Sequence, residues 1–232
     1  VNFIYNVNSS HEFQFQVLNN RNGSMTEEYG AENADVEVSK LPLLYTLNWN
    51  GNFNNVFKTR WSVSMMDEAK DKQMYHIALG NQLSLDKFGA YFDATYSKQA
   101  LDRKGFLTFE EIDQDGIKSN RAYSRRNTEY LALTLNMNYR FTKNWNAFVQ
   151  GMYETASHTK DFQIGTTDLE KGKYRTSLGY LAGIEYYPME SNLHFYLTYV
   201  GRAYKYTNKA IYNSNYATNR ISVGFIYQLP IF

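Results

Sequence analysis

The residues with the most chemistry in them are charged and regularly phased. Lys58, Arg60, Arg140, Arg175, Arg202 and Arg220 fall in step with Ser, Thr, Asn, Gln and Gly at alternate positions of their segments. The acids Glu12, Asp93, Glu154 and Glu185 keep the same phase. A face carrying fixed charges acts on solutes through its field: Arg and Lys favour anions, acids favour cations. The mixture here predicts a mild anion preference, and charges that pair across the face would set its structure only. His76 and His194 share this face, where a polar lining role suits them. Covalent chemistry has less to stand on. There are no cysteines, which removes disulfides, thiolate metal sites and thiol nucleophiles together. None of His11, His76, His158 and His194 has a Ser two positions on, the spacing that places a nucleophile and its base on one strand face. Asp113-Gln-Asp-Gly116 has the opening of a calcium loop without the later ligands. No cofactor or metal is expected.

The elements that position these charges have a period of two. Leu131, Leu133, Leu135, Met137, Tyr139 and Phe141 fall on one side, against Ala132, Thr134, Asn136, Asn138 and Arg140 on the other. A helix would scatter these residues around its circumference, whereas a strand separates them. The same alternation runs through 43–49, 57–65, 75–85, 88–97, 145–154, 177–186, 193–202 and 221–229, and more weakly through 1–8 and 11–19. That makes about eleven strands, each near the ~9–11 residues that a tilted strand needs to cross a bilayer. Glycines 80, 89, 179, 183 and 224 lie on the polar face, where they are expected to relieve curvature or receive a neighbouring ring.

Connections alternate between short turns (9–10, 51–55, 86–87, 142–144, 189–192) and mostly longer polar loops (20–40, 99–127, 158–172, 207–216), with a brief one at 67–71. The apolar face carries Trp49, Phe57, Phe88, Phe141, Trp145, Tyr186 and Phe195 beside the short turns, and Tyr75, Tyr96, Tyr153 and Tyr174 beside the loops. Amphipathic rings collect where hydrocarbon meets head groups, so two girdles mark a bilayer-spanning barrel. A soluble β-sandwich would also alternate, but with a charged outside and aromatics unsorted by strand end. The polar face then borders a water-filled lumen, since unpaired polar groups facing lipid cost several kcal/mol each.

The composition agrees. A net charge of +1 excludes the electrostatic footprint of a nucleic-acid binder, and 21 tyrosines with 3 prolines exclude a disordered chain. Single-chain barrels have an even strand count with both ends on the short-turn side. The final strand meets this rule, whereas residues 1–8 start from the loop side. The expectation is therefore that residues 1–232 are the C-terminal part of one larger barrel domain.

At this point a resemblance enters. Gln16-Val-Leu-Asn-Asn-Arg-Asn-Gly23, Pro42-Leu-Leu-Tyr-Thr-Leu-Asn-Trp-Asn-Gly51, Leu79-Gly-Asn-Gln-Leu-Ser-Leu-Asp-Lys-Phe88 and the ending from Asn219 to Phe232 resemble the phosphate-selective porin O/P family as found in Bacteroides-like bacteria. The likeness spans most of the chain, through strand and turn patterns. It implies a homotrimeric porin of about sixteen strands, with about five ahead of Val1. The family's constriction loop belongs to the N-terminal half, so no selectivity residues carry over from it. The family's terminal Phe sits in phase with the apolar face. Here that face points to Ile231, and Phe232 is one step out, after Pro230.

The expected protein is thus a pore in the bacterial outer membrane that passes small hydrophilic solutes passively and modestly favours anions. Its partners are lipid, lipopolysaccharide and those solutes. Loop residues Arg121-Ala-Tyr-Ser-Arg-Arg126 read as a solvated run near lipopolysaccharide phosphates, and Glu27, Glu28, Glu32 and Asp35 as a solvated acidic loop. The alternatives are a plugged structural barrel and an outer-membrane barrel enzyme.

Overall fold

A computed structural model describes residues 1–19, 43–54, 56–69, 72–99, 103–112, 118–125, 128–164, 167–188, 192–207 and 215–227, with side chains omitted for 68–69, 72, 103–112, 118–125, 162–164 and 167. Among the described residues every regular element is a strand. β1 (Asn2–Asn8), β2 (His11–Asn19), β3 (Leu43–Phe53), β4 (Phe57–Ala69), β5 (Lys72–Ser84) and β6 (Phe88–Lys98) follow one another through the sheet. β9 (Thr128–Arg140), β10 (Trp145–His158), β13 (Gly172–Tyr186), β14 (Leu193–Tyr206) and β15 (Tyr216–Tyr227) complete it. The sheet has 11 strands in the order β1-β2-β3-β4-β5-β6-β9-β10-β13-β14-β15, each pairing antiparallel with the next. β1 and β15 are its edges and do not pair with each other.

The eleven expected strands are the eleven in this sheet, but several are longer. β13 starts at Gly172 and β15 at Tyr216, several residues before the alternation becomes clear. At ~3.3 Å per residue, the 15 residues of β13 measure about 50 Å, more than hydrocarbon requires. Backbone pairing continues into the polar zone beyond the lipid, where no apolar pattern is needed. Two stretches expected as plain loops contain hairpins: β7 (Arg103–Ile112) with β8 (Lys118–Arg125), and β11 (Phe162–Ile164) with β12 (Thr167–Leu169). These hairpins form separate two-stranded sheets, so the large sheet imposes no in/out pattern on their sequences. The acidic stretch 27–35, the calcium-like 113–116 and the chain end at 230–232 lie outside the described residues.

The turn expected at 51–55 is displaced. Gly51 is inside β3, and the chain reverses after Phe53, where the amide of Val56 donates to the Phe53 carbonyl at 3.1 Å. Asn54 adopts φ 55°, a left-handed conformation that Asn tolerates better than most residues. Gly51 serves another purpose: a Cβ there would lie 3.1–3.2 Å from Phe53, Thr59 and Trp49 side-chain atoms. Other short turns are held by side chains. Asn8 Oδ1 accepts from the Ser10 amide at 2.8 Å, and Thr142 Oγ1 accepts from the amides of Asn144 and Trp145. Asn144 Nδ2 also donates to the Tyr187 carbonyl, tying two turns together.

Register aligns the apolar face across the sheet. Phe53, Phe57, Leu83, Ala90, Met137, Val149, Ala182, Tyr199 and Ile221 form one continuous row. Leu47, Trp61, Val63, Ile77, Leu135 and Leu197 are exposed on this outer face. At the short-turn side, ring contacts run from Trp145 to Tyr186 (4.6 Å), Phe195 (6.5 Å) and Phe225 (6.4 Å). Toward the loops, Lys98 and Glu129 form an ion pair at 3.3 Å, one step along the outer face beyond Tyr96 and Leu131. Charge returns there, at the edge of the apolar band. From Phe88 to Tyr96 that band covers about 26 Å of strand before tilt, close to the ~25 Å belt of such barrels.

Of the glycines on the polar face, Gly183 and Gly224 receive rings, from Phe148 and Tyr196. Gly80, Gly89 and Gly179 lie instead under Asp93, Asn138 and Met152. Gly201, on the outer face, accepts Tyr180 in the same way. Gly183 differs from the others in that a Cβ there would also crowd backbone, the Leu197 carbonyl at 3.0 Å, which cannot swing away. Gly183→Ala is expected to lower stability by about 1–3 kcal/mol, the usual cost of overpacking. In denaturant titration, Phe148→Ala should recover only part of that loss, because the backbone contact remains.

Candidate pore lining

The opposite face collects Lys58, Arg60, Arg140, Arg175, Arg202 and Arg220 with Glu12, Asp93, Glu154 and Glu185. Reading across the sheet, Glu12, Asn50, Arg60, Gly80, Asp93, Thr134, Met152, Gly179, Arg202 and Thr218 form one row. Arg60 and Asp93 are thus two strands apart with Gly80 between them, as their spacing predicts. Lys58 stands in a parallel row that runs from Asn52 to Arg220. His76, Ser97, Tyr130, Ala156, Arg175 and Tyr206 make a third. Arg140, Asn146, Glu185, Tyr196 and Gly224 make a fourth, near the short turns.

Acids and bases are held differently on this face. Three of the four acids accept a hydrogen bond from a neutral neighbour: Glu12 from Asn50 Nδ2 at 3.0 Å, Glu154 from the Tyr130 hydroxyl at 2.7 Å, and Glu185 from Asn146 Nδ2 at 2.8 Å, while Asp93 lies over Gly80 beside the Tyr91 hydroxyl. Arg202 approaches Glu154 at 3.8 Å, and His194 approaches Glu185 at 3.4 Å. Among the described residues, Lys58, Arg60, Arg140 and Arg220 have no carboxylate within ion-pair distance, and all four are exposed. Cross-strand pairing therefore accounts for the acids better than for the bases. A trench of about 910 Å³ is lined by Lys58, Arg60, His76, Tyr91 and Asp93 together with Asn, Gln and Ser side chains.

The histidines on this face have local partners. His194 stacks on Tyr187 at 4.3 Å, and the Tyr187 hydroxyl donates to Glu185 at 3.2 Å. Tyr187 lies in the turn after β13, and its hydroxyl is pushed above the usual phenol range by burial and then by the Glu185 charge. His76 stands in register between Ser64 and Ser97, a juxtaposition that chain spacing does not reveal. The Ser64 hydroxyl is engaged with Thr46 at 3.0 Å. No group of three or more His, Asp or Glu side chains suited to a metal ion occurs among the described residues.

Several further residues of this face are not marked by the sequence pattern. Leu181 and Val200 break the polar run between Gln150 and Arg220. Tyr204, Tyr206 and Tyr216 extend the lumen face of β14 and β15 toward the loops. Continuing the alternation of β14 past Arg202 would have found the first two.

A wide antiparallel wall with aromatic girdles outside and a charged, hydrated face inside is the wall of a porin-type transmembrane β-barrel. A family model described as phosphate-selective porin O and P matches residues 1–229, and the chain belongs to that family. Comparison with curated proteins gives no match.

Proposed function

We propose that the chain forms part of the wall of an outer-membrane pore through which small hydrophilic solutes diffuse passively, anions somewhat faster than cations. Further strands close the barrel between β1 and β15, with these residues as the C-terminal part of one barrel domain. Family membership supports a homotrimer in contact with lipid and lipopolysaccharide in the bacterial outer membrane. The observation carrying the anion preference is the unequal tethering of the lumen charges. Carboxylates are bonded back to Asn50, Tyr130 and Asn146 at the wall. The longer, unpaired side chains of Lys58, Arg60, Arg140 and Arg220 extend toward the solute path. At about 0.1 M salt the Debye length is ~10 Å, so the nearest charges dominate what a permeating ion feels.

The test is the zero-current potential of the full-length protein in a planar bilayer under a salt gradient. A stable conductance with an anion-selective potential is expected. A potential of the opposite sign would reject the anion preference. A folded, heat-modifiable protein without conductance would reject the open pore in favour of a plugged structural barrel or a barrel enzyme.

A further inference from the structure

The lumen is unevenly furnished, and its loop-side corner on β6, β9, β10, β13, β14 and β15 combines two kinds of recognition. A cavity of about 340 Å³ lies there, with Arg175 and Arg202 on one side and the hydroxyl and amide groups of Ser97, Gln99, Thr128 and Tyr130 around the rest. Glu154 sits in the same cavity, one oxygen taken by the Tyr130 hydroxyl and the other facing Arg202. Two guanidinium groups against one carboxylate leave the corner with a surplus positive charge. Arg175 Nε is buried and has no hydrogen-bond partner, so one donor of this pair is unused. Arg202 is also fixed from behind, since its guanidinium lies 4.7 Å from the centre of the Tyr204 ring.

Next to this cavity is an aromatic platform. Tyr204 stacks on Tyr216 with centroids 4.7 Å apart, and Tyr206 lies parallel to Tyr204 at 6.4 Å. Tyr206 is the register partner of Arg175, and Tyr204 that of Ser177, so platform and arginines occupy adjoining rows. Tyr216 is half-exposed, which leaves ring surface open to the lumen. Guanidinium forks bind carboxylate, sulfate or phosphate groups, while ring faces accept flat apolar C–H surfaces. A ring of hydroxyls and amides suits a ligand that is itself rich in hydroxyls.

We propose that this corner is a subsite for an acidic sugar of monosaccharide size, its anionic group held by Arg175 and Arg202 and its ring face laid on the tyrosine platform. The cavity volume falls at the small end of the range for small-molecule sites, about 300–1,000 Å³. The subsite rests on the pore reading above and gives it a substrate class.

The experiment is titration of the conducting full-length pore with glucuronate, glucose, acetate and benzoate, measuring the fall in ion current. Glucuronate should block saturably at a concentration about tenfold below that needed for glucose or acetate. Tyr216→Ala should remove that advantage over acetate, whereas Tyr216→Phe, which keeps the ring, should retain it. Arg175→Gln should weaken glucuronate while leaving glucose unchanged; conductance and heat-modifiability confirm that each variant is folded. Equal block by glucuronate and acetate would reduce the corner to an anion site and overturn the proposal. Benzoate binding more tightly than glucuronate would overturn the sugar assignment. Calorimetric titration of the folded protein in detergent separates this subsite from the pore. Glucuronate binding without conductance would support the subsite and reject the pore, whereas conductance without glucuronate block or binding would reject the subsite alone.

Discussion

Leu133→Arg is expected to destabilise the folded protein in bilayers by about 2–4 kcal/mol, while Thr134→Arg, one residue along, is expected to cost far less. The contrast follows from strand parity. Leu133 lies in the outer row between Ala94 of β6 and Tyr153 of β10, in the middle of β9. An arginine there must carry its charge into hydrocarbon or drag water and head groups toward it. Thr134 lies in the inner row between Asp93 and Met152, where an added guanidinium meets water and a carboxylate. Leu135, 42% exposed in the isolated sheet, should behave as Leu133 does. That exposure is not a defect of packing, because lipid is the expected neighbour. Denaturant titration of the variants in vesicles measures the difference, and equal midpoints for Leu133→Arg and wild type would show that this face does not meet lipid.

The same parity explains what could be read from the chain alone. Strand number, order and facing depend on a pattern that bilayer and lumen impose at every second residue, so Leu131 to Phe141 disclose β9 without any partner. The loop-side ends of the strands were harder. Gly172, Lys173, Tyr216 and Ala217 precede the clear alternation of β13 and β15, although the backbone ladder continues through them. The turn after β3 misleads for a related reason: glycine is the usual sign of a reversal, yet Gly51 is needed for the close approach of Trp49 and Phe53, and Asn54 supplies the positive φ. Partners of the lumen charges were the least legible. Tyr130 and Glu154 are 24 residues apart, and Asn146 and Glu185 are 39 apart. Only the register between strands brings them together. Residue type and phase therefore identify which groups share the polar face, while long-range pairing decides which of them are bonded to a neighbour on it.

Arg60→Glu is the charge change expected to move ion preference most. Its row places Arg60 two strands from Asp93, with Gly80 between them, so the mutation converts a balanced acid–base pair into two facing acids. Folding should survive, because the Arg60 side chain is exposed and no carboxylate is within ion-pair distance. The zero-current potential should shift toward cations, and more strongly at about 0.05 M than at 1 M salt, where the Debye length contracts to ~3 Å. Asp93→Asn should move the potential the other way, by less, since it removes one charge where Arg60→Glu changes two. Asp93 also lies over Gly80 beside the Tyr91 hydroxyl, close to the wall. Combining the two changes should return the potential part of the way to wild type, because both act on the same stretch of lumen. A potential unchanged by Arg60→Glu at either salt concentration would remove Arg60 from ion selection and leave Lys58, Arg140, Arg175, Arg202 and Arg220 as the cations able to set it.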